Sequence, residues 1–304
     1  MMGFEEFTEH VSEAVRVKAG GAYQIKRYDV TKNNNVKRTG ITVMKEEADI
    51  GPCVYLDAFY REYETGGMRS DEIVDEVCRL ALKHTEGAPY ADVSGFREWE
   101  TVRGNVRAKL INAEQNKELL EKIPHRMFLD LAVVYYAVAR DQTQEETGTV
   151  LIRREHMEIW GQEEEILYQT AVMNMRAEGG ADFTTLEDAI KRVMPEITLT
   201  AAPRDLPWDT GMYILTNRRK CFGAAEILDK ETLRMIADRV GDGFIVLPSS
   251  LHETIVLPPK SESEYERLAD MVREVNDTQV DVEERLSCHV YAYSRDEETL
   301  KIVA

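Results

Sequence analysis

The chain has 304 residues, of which 43% are hydrophobic and 31% charged, and its formal net charge is −18. That apolar content is too high for a disordered chain, and the length suits one large domain or two ordinary ones. A field of this sign repels phosphate overall, which disfavours non-specific binding to nucleic acid or to an anionic membrane.

Phe4, Phe7, Val11, Ala14 and Val15 recur at helical spacing with Glu5, Glu6, Glu9 and Glu13 between them, and Gly20-Gly21 ends that helix. Residues 22–31 and 36–45 read as a hairpin turned by Asn33-Asn34-Asn35, because Asn tolerates positive φ. A short strand at Val54-Tyr55 precedes a helix from Leu56 to Tyr63, which Gly66-Gly67 breaks. Ser70 is placed to cap a helix carrying Ile73, Val74, Val77, Leu80 and Ala81, closed by Gly87-Ala88-Pro89. The stretch 88–104, with Gly95 and Gly104, marks the boundary between a region 1–95 and a region 96–304.

In the second region, Val106 to Asn112 reads as a strand and is followed by a short charged helix. Met127 to Ala139 reads as one buried strand, paired with Thr149 to Arg153 across the polar turn Asp141 to Gly148. Helices are expected at 155–160, 163–178 and 185–194, and Pro195, Pro203 and Pro207 mark an irregular crossing. Strands are expected at Met212 to Thr216, Phe244 to Leu247 and Thr254 to Leu257, and a last one at Val290 to Tyr293. Helices around 223–228, 230–239 and 261–275 complete an α+β protein: an N-terminal helix, hairpin and helices, then a larger mixed α/β region.

Four cysteines, Cys53, Cys78, Cys221 and Cys288, are far apart and form no CxxC pair, so a disulfide scaffold or Cys-based zinc site is not indicated. They are expected as reduced, mostly buried thiols. The N-terminus lacks both a basic and an apolar leader region, and the apolar stretch 127–139 is shorter than the ~20 residues of a spanning helix. The expectation is a cytoplasmic protein with no membrane partner.

Several landmarks occur in order. They are Gly40-Ile41-Thr42 after the Asn turn; Pro52-Cys53-Val54-Tyr55-Leu56-Asp57-Ala58-Phe59-Tyr60; Leu215-Thr216-Asn217 with Gly223-Ala224-Ala225; Leu247-Pro248-Ser249-Ser250-Leu251-His252-Glu253; and Val275-Asn276-Asp277-Thr278-Gln279-Val280. Together they resemble a bacterial family, domain of unknown function 5688, over essentially the whole chain. The segment from Lys109 to Asn174 also resembles a bacillar family, domain of unknown function 1444. These resemblances imply a bacterial cytoplasmic setting and carry no activity and no catalytic residue.

The most site-like segment is Ser249-Ser250-Leu251-His252-Glu253, which joins two hydroxyls, an imidazole and a carboxylate after a Pro turn. A hydrolase could use such a Ser with His as base, supported by Asn217 and Asn276. However, the GxSxG elbow is absent, and Val256 stands where an HExxH zinc site needs its second His. The plain reading is a capped turn between strands. No His or Cys pair has metal-ligand spacing except Cys288-His289, whose neighbours on a strand point to opposite faces, so no metal is expected. Gly241-Asp242-Gly243 precedes its strand, the reverse of a dinucleotide fingerprint, and no Walker motif occurs, so no cofactor is expected.

Residues 16–45 hold eight bases and one acid, a net of +7, with Tyr23 and Tyr28 among them. Lys26, Arg27, Lys37 and Arg38 could grip a nucleic-acid backbone. The overall field opposes this, and docking on acidic surface of the same chain is the plainer account. Residues 261–304, with twelve acids and five bases, have a net of −7 and could dock a basic partner. The leading expectation is a binding or regulatory protein without catalysis, with a protein partner or self-association. The rivals are a hydrolase at the Ser-Ser-Leu-His-Glu turn and nucleic-acid binding by the basic hairpin.

Overall fold

The computed structural model describes residues 1–45, 53–86, 95–139, 148–193 and 211–304. The chain divides into two compact units, Met1–Phe96 with Ala139–Gly148, and Arg97–Val138 with Thr149–Ala304. The expected Gly87-Ala88-Pro89 stop, the turn 141–147 and the three prolines of the crossing lie outside the described residues.

The first unit begins with α1 (Phe4–Ala19), whose Phe7, Val11 and Val15 form one fully buried stripe. The hairpin follows as β1 (Tyr23–Thr31) and β2 (Lys37–Lys45), paired antiparallel from Tyr23↔Lys45 to Thr31↔Lys37. Its turn is a 3-10 segment in which Asn34 and Asn35 sit at φ 57° and 60°, the left-handed region that Asn tolerates. Strand β3 (Cys53–Tyr55) extends the sheet beyond β2 and leads to α2 (Asp57–Thr65) and α3 (Ser70–Glu86). Ser70 is the first helical residue rather than the cap. The Ile73 amide bonds the Arg69 carbonyl and the Glu72 carboxylate accepts from the Arg69 amide, so capping falls one residue earlier. Ile25, Ile41 and Val43 from the sheet and Ile73, Val77 and Ala81 from α3 close the core over the α1 stripe.

The second unit opens with the short helix α4 (Trp99–Val102) and then β4 (Val106–Asn112), α5 (Lys117–Leu120), β5 (His125–Phe128), β6 (Leu131–Ala139) and β7 (Gly148–Leu151). The strand order is β4-β6-β5, with β7 also on β6. The apolar run expected as one strand is therefore folded back on itself. Phe128 pairs with Leu131, and the two turn residues are Leu129, at φ 56°, and Asp130. The one acid inside the apolar run marks where it bends.

Next come α6 (Arg154–Trp160), α7 (Glu164–Ala177), β8 (Ala181–Thr185), α8 (Leu186–Val193), β9 (Tyr213–Asn217), α9 (Lys230–Val240), β10 (Gly243–Leu247), β11 (Thr254–Leu257), α10 (Glu262–Gln279), β12 (Tyr291–Ser294) and β13 (Thr299–Ile302). The strands form an antiparallel six-stranded sheet ordered β13-β12-β10-β11-β9-β8. Its two outermost strands were not anticipated. Both are short, and β13 buries only Leu300, so neither carries a full alternating pattern. Residues 223–228 form a 3-10 helix rather than an α-helix, and all six are buried. Ile245, Leu247 and Leu257 pack on Ala269 and Val272 of α10.

Helix α7 is held at both ends. At its start Glu164 accepts a two-pronged bond from Arg126 at 3.0 and 2.8 Å and the Tyr135 hydroxyl. Past its end Glu178 meets Arg107 of β4. Gly223 fixes the junction of β9, the 3-10 helix and the loop at 252. A Cβ there would overlap Thr216 Oγ1 and stand 2.6 Å from both the Asn217 nitrogen and the His252 carbonyl oxygen. Two of those obstacles are backbone and cannot swing aside, so Gly223→Ala should cost about 2–3 kcal/mol in urea unfolding. A variant as stable as the parent would contradict this packing.

Candidate functional site

Strand β4 buries Arg107, which is 4% exposed. A buried guanidinium needs partners, and this one makes four hydrogen bonds. Nη1 donates to the carbonyls of Gly104 at 3.0 Å and Val106 at 2.7 Å. Nε and Nη2 donate to the Glu178 carboxylate at 3.0 and 2.6 Å. Arg219 Nη1 stands 3.6 Å from the same carboxylate. Beyond Glu178 the chain turns through Gly179 and Gly180, at φ 106° and 60°. The Arg218 guanidinium lies against Gly179, where a Cβ would be 2.6 Å from Cζ. Glycine is required there for its conformation, at φ 106°.

Asn217 shapes the loop that presents these arginines. Its Nδ2 donates to the Cys221 carbonyl at 2.9 Å and its Oδ1 accepts from the Cys221 amide at 3.3 Å. That closes Arg218-Arg219-Lys220 into a tight exposed turn, with Lys220 at φ 51°. Arg218 makes no hydrogen bond or ion pair among the described residues. The loop, β4, β6, the end of α7 and the 3-10 helix surround a small cleft, lined by Arg107, Arg218, Arg219, Tyr136, Glu178 and Glu226 among others.

Glu226, from the buried 3-10 helix, is 2% exposed. Burial, reinforced by the charges of Asp229 and Glu178, pushes its pKa up to about 7. The cleft thus holds an acid that changes charge near neutral pH. Burial also raises the Tyr136 hydroxyl and the Cys221 thiol above their ordinary values.

The Ser249–Glu253 turn forms the back of this region. His252 stacks on Phe222 at 5.5 Å, Phe222 meets Tyr136 edge-on at 5.1 Å, and Lys109 Nζ lies 4.6 Å over the Phe222 ring. His252 Nδ1 accepts the Phe222 amide at 3.2 Å, and Nε2 is 3.5 Å from Glu284. Ser250 Oγ accepts from the backbone amide of His252 at 3.1 Å, not from its ring. Ser249 is half-buried. Glu253 is raised above the usual carboxylate range by burial. Asn276, on α10, lies apart from the cleft and donates to the Ser287 carbonyl at 3.0 Å and to Cys288 Sγ at 3.4 Å. The structure thus seats Asn217 in the cleft wall and the His252 turn behind it, and does not bring Asn276 to either.

A second His–acid pair was not anticipated. Asp130 Oδ2 accepts from Ser287 Oγ at 2.7 Å and faces His289 Nδ1 at 3.0 Å, while Oδ1 accepts from the buried Tyr291 hydroxyl. Ser287 Oγ is 3.3 Å from that same Nδ1. A Ser nucleophile in a triad bonds Nε2, opposite the acid. Here hydroxyl and acid share one nitrogen.

In the first unit, Arg27 pairs with Glu5 of α1 at 2.8 Å, and Lys18 pairs with Asp75 of α3. Strand alternation places Lys26 and Arg38 on one face of the hairpin and Arg27 and Lys37 on the other, so the four bases do not form one patch. The cysteines are all free, but the expectation that most are buried fails: Cys53 and Cys288 are exposed, and only Cys78 is buried. Among the described residues no helix is long and apolar enough to cross a membrane.

The arginine cleft escaped sequence reasoning although it left signals. Arg218-Arg219-Lys220 is a run of three bases in an acidic chain, and Glu226 is a single charge inside the apolar stretch 223–228.

The fold is α+β, as the periodicities imply. The chain belongs to the family described as Family of unknown function (DUF5688), which matches residues 4–295. No curated protein and no solved structure matches it.

Because the folded state holds the Glu226 proton more tightly than an ordinary glutamate does, its contribution favours folding at low pH. That contribution is lost as pH rises from about 4.5 through about 7. Glu226→Gln should match the parent at pH 4.5 and exceed it at pH 8 by roughly 2–3 kcal/mol in denaturant unfolding. An equal difference at both pH values would contradict the assignment.

Proposed function

We propose that the protein is a non-catalytic binding protein of the bacterial cytoplasm, and that its ligand carries negative charge and enters the arginine cleft of the second unit. One observation carries the reading: three guanidinium groups converge on one cleft of a chain whose net charge is −18, and Arg218 is left with no acid partner among the described residues. Unlike charge in a concave site focuses the local field and concentrates anions there even when the distant field repels them. The wiring of the histidines supports the non-catalytic half. Ser250 bonds the His252 backbone, and Ser287 sits on the wrong nitrogen of His289 for nucleophile activation.

The test is calorimetric titration of the full-length protein with a panel of small anions: phosphorylated sugars, nucleotides, and di- and tricarboxylates. At least one should bind saturably, with affinity lowered roughly tenfold by Arg218→Ala plus Arg219→Ala, as expected for two charged hydrogen-bond donors. Absence of any binder, or binding indifferent to those changes, would remove the cleft from consideration. Turnover of a panel member, abolished by His252→Ala or His289→Ala, would overturn the non-catalytic reading.

A further inference from the structure

The sheet of the first unit ends on an open strand. β1 lies at its margin and pairs with β2 alone, and its nine residues make it the longest edge strand among the described residues. The Lys32 amide donates to the Val36 carbonyl at 2.7 Å, and the Leu56 amide donates to the Thr39 carbonyl at 2.9 Å. Hydrogen-bonded pairs alternate along an antiparallel ladder, so the even-numbered residues of β1 turn their main chain toward β2. Ile25, Arg27, Asp29 and Thr31 therefore turn theirs outward, where those groups meet no main-chain partner among the described residues. The side chains along this edge are exposed at Lys26, Arg27, Tyr28 and Asp29, and Tyr28 shows 43% of its surface.

We propose that β1 is the interface of a two-fold homodimer, in which β1 of a second copy adds antiparallel to the open edge and joins the two three-stranded sheets into one. An unpaired ladder of this length is a template for another strand. Charge selects both the occupant and the register. A two-fold axis through the sheet sets one residue of β1 opposite its own copy. Centred on Lys26, Arg27 or Asp29, it brings like charges face to face, which destabilises a strand pair. Centred on Tyr28, it sets Arg27 opposite Asp29 of the second copy, twice, and stacks the two exposed tyrosines beside each other.

Arg27 and Asp29 are also the residues whose main chain faces outward, so each such pair exchanges main-chain hydrogen bonds as well as charge. Neither side chain has to abandon its present contacts. Arg27 Nη2 is 2.8 Å from Glu5, and Asp29 uses Oδ1 to accept from Thr39 Oγ1 at 2.8 Å. The incoming carboxylate would join an existing ion pair. Lys26, Arg27, Glu5 and Asp29 together sum to zero charge, so the two edges do not repel one another where they meet, although residues 16–45 as a whole are basic. An acidic peptide laid along the same edge would instead face Asp29 and Glu5.

The experiment is sedimentation velocity of the full chain over a wide range of concentration. The expected result is a reversible monomer–dimer equilibrium, roughly tenfold weaker in Asp29→Arg, where both cross-strand pairs become like-charged. Cross-linking reads the register, in a background where the exposed Cys53 and Cys288 are replaced by Ser. Tyr28→Cys should give a disulfide-linked dimer under mild oxidation, because a non-hydrogen-bonded pair brings two Cα atoms within disulfide reach. Lys26→Cys, which faces Val30 of the second copy, should not. A chain still monomeric at about 100 μM would overturn the proposal. So would a dimer indifferent to Asp29→Arg, or one in which Lys26→Cys cross-links as readily as Tyr28→Cys. Should Asp29→Arg fail to fold, as judged by circular dichroism, the contrast between the two cysteine variants still decides.

Discussion

The second unit depends on the bond between Arg107 and Glu178. A guanidinium with 4% exposure inside a strand is untenable without a carboxylate, because the bare charge would lose several kcal/mol of hydration. Meeting that demand draws the end of α7 onto β4. It fixes Glu178 as the last residue before the two left-handed glycines and starts β8 from there. The same turn leaves room for Arg218 to lie over Gly179. One electrostatic requirement thus sets both the frame of the cleft and the position of Arg218.

A second constraint acts from behind. His252 would look catalytic in isolation, yet both ring nitrogens face partners, the Phe222 amide and Glu284. With Gly223 pressed between Thr216, Asn217 and His252, the imidazole serves as a packed wall that carries Phe222 against Tyr136. The Asp130 cluster works in a similar way. It ties the turn between β5 and β6 to Ser287, His289 and Tyr291, residues more than 150 positions away in sequence. Both groups spend polar side chains on holding loops in place.

Much of the fold was legible because it rests on local patterns: the stripe of Phe7, Val11 and Val15, the Asn turn at φ 57° and 60°, and the apolar strand Phe244 to Leu247. Where reading failed, the deciding contacts were distant. The bend at Leu129-Asp130 is stabilised by Ser287, His289 and Tyr291, and β8 and β13 are edges whose pairing, not pattern, makes them strands. The Ser249–Glu253 turn stands out as a dense polar motif, with Asn217 and Asn276 as its expected polar supports. Only Asn217 lines the cleft. Arg107, Glu178, Arg218 and Glu226 come from four separate segments, and their convergence is a property of the tertiary structure that no spacing in the chain encodes.

The central claim is that this cleft, rather than any other basic surface, holds an anion. Anomalous diffraction from crystals of the full chain soaked in selenate, an electron-rich oxyanion, tests it most directly. The account predicts the strongest selenium peak within hydrogen-bond reach of Arg218 and Arg219, lost in Arg218→Ala. A cleft free of anomalous signal, with selenate instead on Lys26 or Arg38 of the hairpin, would contradict it.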